Sequence, residues 1–136
     1  MTSSLEQHIQ LLLQKSHINF IREKSFSDLK HGYYRFDFYL QTLNILIEVQ
    51  GAQHYEYSKY FHKKRSDFTK AQERDRQKIS WSLAHNIPLY CIPYWEVENL
   101  KSVQQIFQQK FLARTKFHND EVYWAHKKEQ KSKAKT

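Results

Sequence analysis

Apolar positions alternate with polar ones over Arg35-Phe36-Asp37-Phe38-Tyr39-Leu40, the period-two mark of a half-buried strand. Ile45-Leu46-Ile47-Glu48-Val49-Gln50 follows after Gln41-Thr42-Leu43-Asn44, a common hairpin loop length. Upstream, Leu5, Ile9, Leu12 and Leu13 make a helical stripe over residues 3–15, with Ser3 and Glu6 spaced as a capping box. Residues 18–26 read as a strand, closed by the turn residues Ser27-Asp28. Downstream, a helix is predicted from Ser66, as its cap, to about His85, with Pro88 beyond its end. Leu89 to Tyr94 reads as a short apolar strand whose Pro93 belongs at a sheet edge or outside the ladder. Glu96 to Leu112 is predicted as a last helix with Val97, Leu100, Val103, Phe107 and Phe111 inward. The order α-β-β-β-α-β-α predicts an α/β fold, a sheet of about four strands with helices on its faces.

The hairpin carries chemistry. If Leu40 pairs with Ile45, Asp37 falls opposite Glu48, with Cβ atoms roughly 5 Å apart on one face. Like charges so placed repel, and a cation between them removes the cost. Carboxylate oxygens are hard ligands suited to Mg²⁺, with Mn²⁺ as the alternative. A register shifted by one, or neutralisation by Arg35 and nearby lysines, is the competing explanation.

Composition narrows the setting. A chain of 136 residues fits one domain, here 1–126, followed by a tail over 127–136 whose lysines and lack of apolar residues predict disorder. The lone Cys91 cannot form an internal disulfide, and no Cys/His cluster suggests zinc. With no signal peptide and no apolar run near membrane-spanning length, the expectation is a soluble intracellular protein with no membrane partner. The net charge of +8 favours a polyanionic partner, and with the abundant aromatics it points to nucleic acid.

The helix predicted from Ser66 carries an oddity. Phe68, Ala71, Ile79 and Leu83 lie broadly on one side, with Asp75 in the middle of that stripe and Lys78 on its flank. An unpaired carboxylate facing a core is costly, so Asp75 needs a partner. Either it pairs locally with Lys78, or both residues point towards the hairpin carboxylates.

Taken together, RFDFYL, ILIEVQGAQHY and ERDRQKISWSLAHNIPLYCIPYWE resemble the PD-(D/E)xK nuclease superfamily, and most of all its small branch of very-short-patch-repair and phage homing endonucleases. The resemblance runs from about Glu6 to Trp95. It implies a restriction-endonuclease-like fold with a mixed central sheet, in agreement with the element order. It implies a Mg²⁺ site on Asp37 and Glu48, with the backbone carbonyl of Val49 and the carboxylate of Glu6 as further ligands. Glu6 lies off the apolar stripe of its helix, where a capping role competes.

The chain departs from the family pattern in two places. Phe36 replaces the usual Pro before the Asp. Gln50 stands where the family has a lysine that orients water and stabilises charge on the phosphate. Lys78 is the natural replacement, in the manner of members that carry this lysine on a neighbouring helix. A His near the metal in similar nucleases corresponds to His54, whose near-neutral pKa suits proton transfer. Asp75 would hold Lys78 or His54, or bind a second metal. The loop beyond the hairpin interleaves Tyr55, Tyr57 and Tyr60 with Lys59, Lys63, Lys64 and Arg65, a composition suited to gripping phosphates and stacking on bases. Together with Arg35, these make the expected DNA contacts.

The expectation is therefore a Mg²⁺-dependent DNA endonuclease. Two alternatives stay open: a structure-selective resolvase of branched DNA acting as a homodimer, and a non-catalytic nucleic-acid-binding protein that lost its chemistry with the motif lysine.

Overall fold

The computed structural model describes residues 3–134. Its elements run α1 (Ser4–Lys15), β1 (Ile21–Ser25), β2 (Arg35–Leu40), β3 (Ile45–Gln50), α2 (Arg65–Ala84), β4 (Leu89–Pro93), α3 (Tyr94–Val97) and α4 (His118–Ala134), with short 3₁₀ turns between. The sheet is mixed, in the order β1-β2-β3-β4, with antiparallel pairs up to β3 and a parallel β3–β4 pair. It is an α/β fold with helices flanking the sheet. The hairpin register is the predicted one: Leu40 faces Ile45, Tyr39 faces Leu46 and Phe38 faces Ile47.

Local chemistry sets the boundaries. Ser3 caps α1 by accepting the Glu6 N–H at 3.1 Å. Helix α1 stops before His17, whose φ of 56° lies in the left-handed region. The cap of α2 lies two residues earlier than predicted, at Lys64 and not Ser66. There the Asp67 carboxylate accepts the Lys64 N–H at 3.0 Å. Strand β3 is buried almost throughout because helices or turns cover both of its faces, so it shows no alternation. The outer edge of β4 is partly closed by the chain near Leu112, where the Ala113 N–H reaches the Leu89 carbonyl at 2.9 Å.

Two apolar clusters sandwich the sheet. Ile9, Leu12 and Leu13 of α1 pack on Phe38, Leu40, Ile47, Val49 and Ile92, together with Val97, Leu100, Val103, Ile106 and Phe111. On the other side Ile79 and Trp81 of α2 pack on Phe36, Leu46, Leu89 and Cys91.

Three expectations need correction. Residues 96–112 are not one helix: α3 ends at Val97, and 3₁₀ turns follow at Val103–Phe107 and Gln109–Phe111. The buried residues Val97, Leu100, Val103 and Ile106 recur every third position, a period that suits 3₁₀ geometry better than the α-helix. Of the tail expected to be disordered over 127–136, residues 127–134 are the last turns of α4, and residues 135 and 136 lie outside the described residues. Lys127 pairs with Glu56 at 3.2 Å, Glu129 pairs with Lys133 at 3.1 Å, and the cations sit at the helix C-terminus where the dipole favours them. Leu83 is 40 % exposed, and the inward face of α2 is Asp75, Lys78, Ile79 and Ser82, an i, i+3, i+4, i+7 set. Among the described residues no helix is long and apolar enough to cross a membrane.

This facing can be tested by urea denaturation. Ile79→Ala should cost about 2–5 kcal/mol, the usual range for emptying a buried aliphatic site. Leu83→Ala should cost under about 1 kcal/mol. Equal losses would contradict the orientation of α2.

Candidate active site

Asp37 interrupts the sheet. The β2–β3 ladder runs as far as Phe38–Ile47, and at the next rung side chains replace backbone pairing. The Glu48 Oε1 accepts the Asp37 N–H at 2.8 Å, and the Asp37 Oδ2 accepts the Val49 N–H at 2.8 Å. The β1–β2 ladder also skips this rung, pairing Arg22 with Phe38 and Lys24 with Phe36. Glu23, between them, has φ of 54°, a strained conformation for a residue with a side chain. Arg22 Nε reaches across to the Asp37 carbonyl at 3.0 Å. Both polar groups of the Asp37 backbone are thus satisfied by side chains. Alternation breaks at the same point: Phe38 packs on the α1 side and Phe36 on the α2 side.

Around this break the structure forms a cavity of about 330 Å³ that both helical layers reach. Glu6 enters from α1, Asp37, Glu48 and Val49 from the hairpin, His54 from the turn after β3, and Asp75 and Lys78 from α2. Asp75 and Lys78 do not pair with each other. Lys78 Nζ donates to Glu48 Oε2 at 2.8 Å, and His54 Nδ1 lies 2.8 Å from Asp75 Oδ2. With a carboxylate as acceptor, that ring nitrogen carries the proton.

The electrostatics are set by burial. Burial pushes the Asp37 pKa well above the ordinary carboxylate range, and the neighbouring Glu48 charge adds to it. Burial also raises the Glu48 pKa, against the pull of Lys78. Burial opposes the Lys78 ammonium, but Glu48, Asp75 and Asp37 outweigh it and hold its pKa above the usual lysine range. Lys78 is therefore a cation at neutral pH.

The donor set fits a hard divalent cation. Glu6, Glu23 and Asp37 each place a carboxylate oxygen within 4.8 Å of the others, and Asp37 is the member shared with the Glu48 pair. Lys78 pairs with Glu48, and Arg22 pairs with Glu6 and the exposed Glu23, while Asp37 accepts the Val49 N–H. Glu6 accepts the Ser3 hydroxyl at 3.0 Å, a side-chain contact and not the backbone contact of a capping box, and it lines the cavity.

Other expected residues sit elsewhere. Gln50 is buried beside the Cys91 thiol and does not line the cavity. Tyr55 is no surface residue. An aromatic cluster of Tyr94, Trp95 and Tyr123 takes up its ring, at 6.1, 5.1 and 5.5 Å between centroids. Arg35, Lys59, Lys63, Lys64 and Arg65 are exposed and lie outside the cavity, and Arg65 sits over the Tyr57 ring at 4.6 Å. Three participants escape a reading of the sequence. Glu23 sits on a strand whose charges look solvent-facing, Arg74 is one of many basic residues, and Phe61 is one of several aromatics in the loop before α2. Only the i, i+4 spacing of Arg74 to Lys78 hints at a shared face.

The raised carboxylates give a pH signature. Asp37 and Glu48 hold their protons more tightly folded than unfolded. Metal-free stability therefore falls as pH rises from the ordinary carboxylate range to the raised folded pKa values. Asp37→Asn removes one titrating group and keeps an oxygen for the Val49 N–H. Its melting temperature in EDTA should exceed that of the wild type at neutral pH, and the gain should shrink in acid. A neutral-pH loss would show that the Asp37 charge is already compensated.

No family model matches the chain, and no solved structure matches it. Two curated relatives are similar over part of it. Uncharacterized protein 094L of Frog virus 3 (isolate Goorha) is 44 % identical over 59 residues, 43 % of this chain and 38 % of the relative. Uncharacterized protein 307L of Invertebrate iridescent virus 6 is 36 % identical over 58 residues, 43 % of this chain and 29 % of the relative. The aligned segments thus cover well under half of either relative.

Proposed function

We propose that the chain is a metal-dependent DNA endonuclease. The observation that carries this reading is the convergence of Asp37, Glu48, Lys78 and a His54–Asp75 pair on one cavity. Asp37 and Glu48, with Glu6 and the Val49 carbonyl, are the residues that would hold Mg²⁺ or Mn²⁺. A bound divalent ion lowers the pKa of a water and offsets charge developing on the phosphate. Lys78 supplies the positive charge that Gln50 cannot, from a helix in place of the strand. Its ammonium stabilises negative charge on the phosphate oxygens and orients the attacking water. His54, with its ring fixed by Asp75, takes a proton from that water or gives one to the leaving oxygen. Arg74, at the cavity wall, is placed for a flanking phosphate.

The net charge of +8 supports a polyanionic substrate, and the exposed cations of the loop and of α4 supply phosphate contacts. The recognition chemistry is that of the DNA backbone, and nothing in the site favours branched over linear duplex.

Incubation with plasmid DNA and Mg²⁺ or EDTA tests the reading. Wild-type protein should cleave only with metal. Asp37→Asn or Glu48→Gln should abolish cleavage while DNA binding persists. Lys78→Ala should slow cleavage by about 10²–10³-fold, the usual loss for one charge-stabilising donor, whereas Gln50→Ala should have a smaller effect. Full activity in the Lys78 variant would rule out the relocated lysine. Metal-independent binding without cleavage in the wild type would favour a non-catalytic binder.

The end of α4 gives a second test. Residues 128–134 are exposed. Truncation after Lys127 should leave the melting temperature within a degree or two. It should also flatten the slope of log affinity against log salt, by about 0.9 for each phosphate no longer neutralised. An unchanged slope would mean that this end does not touch DNA.

A further inference from the structure

Helix α4 lies outside the stretch that carries the family resemblance, yet it ties together the two elements that hold His54 and Asp75. On α2, Arg76 donates through Nε and Nη2 to the Asp120 carboxylate at 3.1 and 3.2 Å, one residue from Asp75. On the segment after β3, Glu56 accepts the Tyr123 hydroxyl at 2.5 Å and the Lys127 ammonium at 3.2 Å. The Tyr123 ring also stacks on Tyr55, the neighbour of His54, at 5.5 Å and 12°.

Beside the first bridge, next to Asp120, is Asn119. It is 8 % exposed, and neither amide atom has a hydrogen-bond partner among the described residues. Burying a primary amide without partners is unfavourable, and an apolar side chain there would avoid the cost. Asn119 lines a small cavity of about 10 Å³ whose walls also include His54 and Asp75. That is room for one water with several polar neighbours.

We infer that α4 is a positioning clasp for the His54–Asp75 pair, and that Asn119 is its positioning residue, holding the pair through one bridging water. The inference rests on His54 acting in the proposed reaction only for its kinetic consequence. The geometric part stands apart from it. Fixing the Asp75 carboxylate fixes the imidazole, and a loosened imidazole meets the reacting proton in fewer orientations.

The test has one arm that needs no cleavage. The His54 Nδ1 proton, shared with Asp75, gives a downfield resonance in the proton NMR spectrum, assigned by its loss in Asp75→Asn. In Asn119→Leu that proton should exchange with solvent about tenfold faster, or the resonance should vanish, while the melting temperature stays close to wild type. In the cleavage arm kcat should fall about tenfold at unchanged KM, less than the 10²–10⁴ expected for losing proton transfer outright. Asn119→Ser, which keeps a hydrogen-bonding group, should restore both readouts to within about threefold. Wild-type exchange of the His54 proton in Asn119→Leu would overturn the inference. So would an Asn119→Ser variant as impaired as the leucine. Should the leucine variant fail to fold, Asp120→Asn, which weakens the Arg76 bridge, must accelerate the same exchange or the clasp is wrong. A wild type that never cleaves DNA but shows the exchange effect would refute the nuclease and leave the clasp standing.

Discussion

Two carboxylates held together against the core are the constraint that much of this structure answers. Asp37 and Glu48 are brought together by hairpin register, and burial makes their charges expensive. The fold meets that cost with donors drawn from several elements. Two come from the hairpin backbone itself, the N–H groups of Asp37 and Val49. One is Lys78 on α2, which also lies over the Phe36 ring at 5.1 Å. Removing Lys78 would leave a buried charge without its cation, so α2 is docked by an ion pair as well as by Ile79 and Trp81.

The same constraint explains the irregularity of the sheet. A continuous ladder through Asp37 would pair its backbone with the strands on either side and leave the two carboxylates to find other partners. Instead the rung opens, Glu48 and Arg22 take over the Asp37 N–H and carbonyl, and Glu23 adopts a left-handed conformation. Strain of this kind persists only where the surroundings hold it in place, and here Arg22 does so through Asp37, Glu6 and Gln10. The opening is also what allows α1 and α2, on opposite faces of the sheet, to contribute to one cavity.

The basic surface and the acidic cavity are complementary features under the proposed function. Exposed cations on the loop before α2 and along α4 would draw in a polyanion whose phosphates the cavity alone would repel. A divalent ion reconciles the two.

Strand β2, the hairpin register and the inward placement of Asp75 are legible in the sequence because each rests on a local pattern: alternation in β2, a four-residue loop, and the 3.6 period of α2. The opposition of Asp37 to Glu48 follows from a four-residue loop and one rung of pairing. The stretch after 96 misleads because apolar residues at every third position fit a loose helical stripe as well as 3₁₀ turns. The end of α4 misleads because composition carries no record of Glu56, a partner 71 residues away from Lys127 in the chain. Basic neighbours make Tyr55 look like a surface residue, whereas aromatic rings from α3 and α4 bury it. The sequence by itself determined that Asp37 and Glu48 oppose each other across the hairpin and that Asp75 faces inward. Only the tertiary structure decided that Lys78 pairs with Glu48 and His54 with Asp75, because both contacts join elements whose separation along the chain is unrelated to their separation in space.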